Sequence, residues 1–297
     1  MIRTLRVFQV DAFTSTPFTG NPATVVLQGE GLSDAQMRTV AREFAKGDTA
    51  FVLPATAPDH DLTVRFFMPN KEALFVGHAT LAAHAVLSRE STQPLRRQAG
   101  RSGIVEVRAL AEGGFAISQP PPPLARAPGE TEINALLPLL GLEPGDLDAA
   151  CAPRIVGSAS TRLIIPLRDV AALDAVCPQL PQLAAMSATL GAQGYFLFAR
   201  QGAAQGCLTE SRMFCPALGI DEDPVSGNAH AMLAVLLHER GLLGGSASHA
   251  AFVGAQGRHV GRPGRVQVSM QFDAGGTPRA VSIAGQAVVV LEGSAKF

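Results

Sequence analysis

A chain of 297 residues with 47% hydrophobic side chains is long enough for two domains, each with a core of its own. Lys and Arg number 24 against 25 Asp and Glu, a net charge of −1 with no basic block, which argues against nucleic acid or an anionic membrane and for a small-molecule partner. Four cysteines, Cys151, Cys177, Cys207 and Cys215, show neither C-x-x-C spacing nor a matching histidine cluster, so no metal site or disulfide framework is expected and they read as reduced thiols of a cytoplasmic protein.

Met1 to Leu5 run directly into an alternating strand pattern rather than a signal-peptide core, and no apolar run reaches membrane-spanning length. Leu5 to Asp11 and Ala23 to Leu27 predict strands around a turn holding Pro17, Gly20, Asn21 and Pro22. Ser33-Asp34-Ala35-Gln36 is a capping box, after which Met37, Val40, Ala41 and Phe44 keep one apolar helical face up to Gly47. Strands are predicted at Thr49 to Leu53, Leu62 to Met68, Ile104 to Val107 and Phe115 to Ser118. Pro120 to Pro123 then makes a stiff stretch without amide donors, the best linker in the chain. Beyond it the strand pattern resumes near Leu163 to Leu167, Tyr195 to Ala199, Cys207 to Phe214 and Val266 to Met270, with a final pair around Val281 and Val288 to Leu291. Many strands and few helices in two halves predict α+β domains with largely antiparallel sheets.

The chain also repeats itself. Arg65-Phe66-Phe67-Met68-Pro69, followed by Gly77-His78-Ala79, returns half a chain later as Arg212-Met213-Phe214-Cys215-Pro216, followed by Gly227-Asn228-Ala229. Each glycine opens a helix, Ala79 to Leu87 and Ala229 to Leu237, that is apolar nearly all round and must therefore be surrounded by other structure. The N-terminus of such a helix has unpaired amides and the positive end of the dipole, and a glycine lets an anion approach them. Gly77 and Gly227 read either as tight-turn glycines or as anion-binding openings, and their repetition, with Asp223 and Pro224 just before the second, favours the openings. Duplicated halves commonly place such shared elements at the cleft between them.

Val10-Asp11-Ala12-Phe13, Pro17-Phe18, Gly20-Asn21-Pro22-Ala23, Asp48-Thr49-Ala50-Phe51-Val52, Gly77-His78-Ala79-Thr80 and Glu222-Asp223-Pro224-Val225-Ser226-Gly227-Asn228-Ala229 resemble, in order, the signature of the PhzF-like phenazine-biosynthesis isomerase family. Gly257 with Gly261-Arg262-Pro263-Gly264 resembles its later glycine/arginine segment. The resemblance implies a diaminopimelate epimerase-like fold, α+β, with two pseudo-symmetric domains, each a mostly antiparallel, barrel-like sheet around a central helix. Residues 1–119 with 281–297 would form the first domain and 124–280 the second. It also implies a cofactor-independent isomerase that moves a proton on a small carboxylic acid.

The related racemases use two facing cysteines, one before each helix-opening glycine, where this chain has Val76 and Ser226. Valine carries no proton and a plain serine is too weak a base, so a carboxyl shuttle remains. The family's acid/base is a glutamate in a Ser-Glu-Thr-like stretch; here Gly47-Asp48-Thr49 stands in that place. Aspartate draws the carboxyl back by one methylene, about 1.5 Å, and proton transfer needs roughly 2.6–3.2 Å, so substrate or loop must shift to meet it. Alone, Asp48 would read as a turn residue after Gly47; its place in the family pattern makes it the acid/base. His78, in the first helical turn, is expected to donate to a substrate carbonyl or assist the transfer, and Asp223, held extended by Pro224, to fix a substrate group or tune His78. Substrate contacts are expected at Gly77, Ala79, Gly227 and Asn228, which stands where well-known members have serine, and at Asn21, which reads equally as a turn residue. His84, His230 and His238 read as core or surface residues, Arg65 and Arg212 as framework. No cofactor and no metal are expected, the partner is a small carboxylic acid, and the assembly a homodimer. Two classes stay open: an isomerase, or an epimerase with a non-cysteine acid/base pair, and a catalytically silent carboxylate-binding protein.

Overall fold

The computed structural model describes residues 3–44 and 47–297. They divide into two compact units, one running to Gln119 and taken up again at Ala284–Phe297, the other Pro120–Ile283.

In the first unit β1 (Thr4–Ala12) pairs antiparallel with β2 (Asn21–Leu27), Ala12 lying opposite Asn21. β3 (Asp48–Pro54) runs parallel to β2 with Asp48 beside Ala23. Parallel neighbours need a crossover, and here it carries α1 (Asp34–Glu43), started by Ser33, whose Oγ accepts from the Gln36 amide while the Gln36 side chain accepts from the Ser33 amide. The expected helical face ends at Phe44, the C-cap, and its last step towards Gly47 lies outside the described residues, as do Met1 and Ile2. β4 (Leu62–Phe67) returns antiparallel to β3, with the short β5 (Glu72–Ala73) folded against it. The second crossover is α2 (Gly77–Ser88), leading to β6 (Leu95–Gly100) parallel to β4, and then β7 (Gly103–Ala109) and β8 (Phe115–Gln119) follow as antiparallel neighbours.

Alternation along the strands divides the core. Leu5, Val7, Val26, Phe51 and Phe67 pack with Met37, Val40 and Ala41 of α1, and Phe51 meets Phe67 edge-on at 5.6 Å. Phe8, Val10, Val25 and Ala50, also buried, take the opposite side of the pleat. There α2 lies against β1, β2, β3 and β8, with every side chain from Ala79 to Val86 buried. The late strand β16 (Ala287–Lys296) also touches α2 and pairs antiparallel with β1, from Thr4 opposite Lys296 to Ala12 opposite Ala287.

The second unit contains strands in the order β15 (Pro278–Gly285), β14 (Gly264–Phe272), β13 (His249–Gln256), β12 (Thr209–Phe214), β11 (Tyr195–Ala199), β10 (Arg162–Leu167) and β9 (Arg154–Val156). Between β10 and the parallel β11 the chain makes α4 (Val170–Ala175) and α5 (Leu180–Leu190); between β12 and the parallel β13 it makes α6 (Gly227–Glu239). Leu163, Ile165, Leu167, Tyr195 and Leu197 pack with α4, α5 and α3 (Glu130–Leu136) on one face, while Phe196 meets the His230 ring of α6 edge-on at 5.2 Å on the other. Both faces are therefore covered, which is why these two strands read as unbroken apolar runs. Most strand pairs are antiparallel, as expected. Four parallel pairs among the described residues, each joined through helices, make the sheet mixed, and the sequence pattern does not announce them. Among the described residues no helix is long and apolar enough to cross a membrane.

Candidate active site

In the first unit the expected residues gather where β2 and β3 begin. Asn21 opens β2 and is buried, Asp48 opens β3 beside Ala23, and His78 sits in the first turn of α2. His78 Nε2 stands 3.6 Å from Asp48 Oδ2, close enough for electrostatic coupling and too long for a hydrogen bond. The Asp48 side chain is only 17% exposed. Burial raises its carboxyl from an ordinary 3.8 to about 6, against the opposing charge of Lys71. A carboxyl balanced near neutrality can both take and return a proton.

Lys71 was not foreseen. Register explains it: Thr49 lies opposite Phe67, so Asp48 is next to Met68, whose amide donates to Lys71 O at 2.9 Å across the β4–β5 turn. The loop before Asn21 is also unusual. Phe13 and Phe18 hold φ of 62° and 67°, a left-handed backbone that side chains rarely adopt, and Asp11 Oδ2 accepts from the Phe18 amide at 2.6 Å. Val76, the N-cap of α2, makes no side-chain cap bond, and the amides of Gly77 and Ala79 donate to no acceptor among the described residues.

In the second unit the Asp223 amide donates to Met213 O at 2.8 Å, and Pro224 and Val225 lead to Ser226, the N-cap of α6. Ser226 Oγ accepts from the Ala229 amide at 3.3 Å, so the hydroxyl caps the helix. The amides of Gly227 and Asn228 donate to no acceptor among the described residues. Beneath this turn lies Gly257, with φ of +93°, where an added Cβ would stand 2.6 Å from Pro224 O. Gly257→Ala is therefore expected to destabilise the protein by about 1–3 kcal/mol through backbone strain alone, read as a lower urea midpoint.

The repeated arginines are framework. Arg65 forks onto Glu72 through Nε and Nη2, both at 2.9 Å, and lies over the Phe67 ring; Arg212 forks onto Glu222 at 3.0 and 2.8 Å and lies over Phe214. Each fork staples a strand end to the loop that leads into a buried helix. His84 and His230 are core residues: His84 Nε2 meets Gln98 Oε1 at 3.0 Å, His230 Nδ1 meets Ser226 O at 2.8 Å, and burial lowers both to about 4. His238 stacks on Phe272. All four cysteines are free thiols, Cys151 and Cys215 buried. No group of three His, Cys, Asp or Glu among the described residues is placed to hold a metal ion.

The family model for phenazine biosynthesis-like proteins, PhzC-PhzF, matches residues 10–293. The chain belongs to the PhzC-PhzF family. An uncharacterized isomerase of Clostridium acetobutylicum is 33% identical over 98% of both chains, and the uncharacterized isomerase YddE of Escherichia coli K12 is 34% identical over 96% of both. The crystal structure of a PhzF-family phenazine biosynthesis protein from Bacillus anthracis shares the fold, with a TM-score of 0.87 over 99% of both chains at 24% identity. This PhzF-family chain thus has the expected family, its fold is the PhzF-like one with mixed α/β content and a large sheet, and it carries Asp48 where the resemblance places a glutamate.

Proposed function

We propose that this chain is a cofactor-independent isomerase that moves a proton on a small carboxylic acid, with Asp48 as the acid/base. One observation carries the reading: a buried carboxyl held near neutrality, 3.6 Å from a histidine at the opening of a buried helix. Asp48 takes a proton from the carbon next to an activating group, the electron pair moves into the adjoining unsaturated system, and Asp48 returns the proton at another carbon. His78 donates to the oxygen on which charge gathers. The amides of Gly77 and Ala79 in the first unit, and likewise those of Gly227 and Asn228 in the second, are donors suited to a carboxylate. Asn21 and Asp223 supply further polar contacts. Val76 and the capping hydroxyl of Ser226 supply no thiol pair, which sets the mechanism apart from two-cysteine racemases. The same reading carries two pseudo-symmetric domains, each a sheet around its glycine-opened helix, in a cytoplasmic homodimer.

A screen of small cyclic and amino-acid-like carboxylic acids in deuterated water, read by mass spectrometry, tests it. At least one acid should gain solvent deuterium at carbon or yield an isomer, with part of the substrate's own hydrogen retained because a single carboxyl does both transfers. The shorter side chain of Asp48 motivates the second reading, a catalytically silent binding protein. That reading stands instead if benzoate or another acid of the panel binds and none exchanges.

A further inference from the structure

Gln256, the last residue of β13, is 1% exposed, and its backbone is fixed between Ser211 of β12 and Gly264 of β14. Its side-chain amide makes two hydrogen bonds to a single turn: Oε1 accepts from the Ser226 amide at 3.0 Å, and Nε2 donates to Asp223 O at 2.7 Å. The two bonds bracket Pro224 and Val225. The step from Asp223 to the N-cap of α6 is therefore held at both ends by one rigidly based side chain. The Asp223 amide is fixed as well, to Met213 O. A buried amide with both ends satisfied by main chain has one orientation, and the turn it holds shares that precision.

Among the described residues the first unit shows no such brace. Matching Arg212 with Arg65 aligns Thr209 opposite Gly254 with Leu62 opposite Gln98, and Glu210 opposite Ala255 with Thr63 opposite Ala99. The position matching Gln256 is then Gly100, which has no side chain. In the first unit the buried amide belongs to Gln98 instead, and it reaches His84 and Thr80 within the body of α2 rather than the turn before it. The two units thus match in local strand register and differ at the turn that carries Asp223.

We propose that Gln256 is a positioning residue, whose amide fixes the Asp223–Ser226 turn and so sets where the Asp223 carboxylate and the Gly227 and Asn228 amides stand. The role rests on reading Asp223 and these amides as site groups, as above.

Two variants separate positioning from general support of the fold. Gln256→Met fills the space and removes both bonds. Gln256→Glu keeps both while protonated, the carbonyl oxygen accepting from Ser226 and the hydroxyl donating to Asp223 O; once ionised it loses the donor and opposes the Asp223 carbonyl. Amide hydrogen exchange, corrected for intrinsic rates, should show protection of the Asp223, Ser226 and Ala229 amides falling at least tenfold in Gln256→Met, with the rest of the second unit unchanged. In Gln256→Glu that protection should be wild-type at pH 5 and lost at pH 8. On any acid the wild type isomerises, kcat should follow the same pH profile, falling tenfold or more in the ionised state. A uniform loss of protection across the unit, or Gln256→Glu indistinguishable from wild type at pH 8, overturns the proposal. If the wild type isomerises no acid, the functional reading fails by itself, and local exchange still decides whether Gln256 sets the turn.

Discussion

Asp48→Asn should abolish nearly all turnover and at the same time make the protein more stable at neutral pH. Removing a positioned acid/base costs about 10²–10⁴-fold in rate, and an amide cannot shuttle a proton. The stability change follows from linkage. Burial holds the Asp48 carboxyl at about 6 in the folded protein against an ordinary 3.8, so folding favours the neutral form. That favourable contribution is full below pH 3.8 and is lost as pH rises through about 6, where the charged carboxylate must stay buried. At 1.36 kcal/mol per unit, the wild type gives up about 3 kcal/mol across this window. Asparagine has nothing to ionise. The stability of Asp48→Asn relative to wild type should therefore rise by about that amount between pH 4 and pH 7, measured by urea unfolding at each pH. A flat difference would show that the carboxyl is not held near neutrality. Full turnover in Asp48→Asn would move the proton transfer to His78 or Asp223.

The second large effect is expected at Glu222. Its fork with Arg212 is nearly closed to water, the two side chains being 14% and 9% exposed. Arg212 Nη1 also donates to Val176 O at 2.9 Å. Glu222→Ala leaves that guanidinium buried without its carboxylate, which typically costs about 3–5 kcal/mol. The matching change in the first unit, Glu72→Ala, should cost less, because Arg65 is 26% exposed and keeps Asp34 as a second carboxylate at 2.9 Å. Urea midpoints of the two variants check the order. A loss under about 1 kcal/mol at Glu222 would mean that the fork behaves as a surface pair.

The parts of the fold legible in the sequence are those where burial and local pattern agree. The strand expected over Leu5 to Asp11 is Thr4–Ala12, the capping box at Ser33 starts a helix, and the two apolar helices are buried as their composition requires. β6 was missed because its inward residues are Arg96 and Gln98, so the usual code of apolar inside and polar outside is inverted there. β13 was missed because it is built from small residues, and Gly254 shows why: an added Cβ would stand 2.5 Å from His230 Nε2. At the site, Asp48 and His78 were named from the sequence, while Lys71 and Gln256 were not. Both act through strand register, which brings residues 223 and 256 together and which no local pattern announces. One signal was overlooked: Glu72 and Glu222 each stand five residues before a helix-opening glycine, so the carboxylate partners of the two arginines repeat along with them.

The pairing of β1 with β16 ties Thr4 to Lys296, so β1, whose one edge pairs with β2, finds the neighbour for its other edge only in a strand made much later. Residues 120–283 form a unit of their own and can condense during synthesis. Until residues 287–296 emerge, the earlier segment must wait with one edge of β1 unpaired and α2 short of one of the strands it packs against. An unpaired edge of this kind is a template for wrong partners. Of the two units the earlier-made is therefore the later to be completed, and it is the one that most needs protection while it waits.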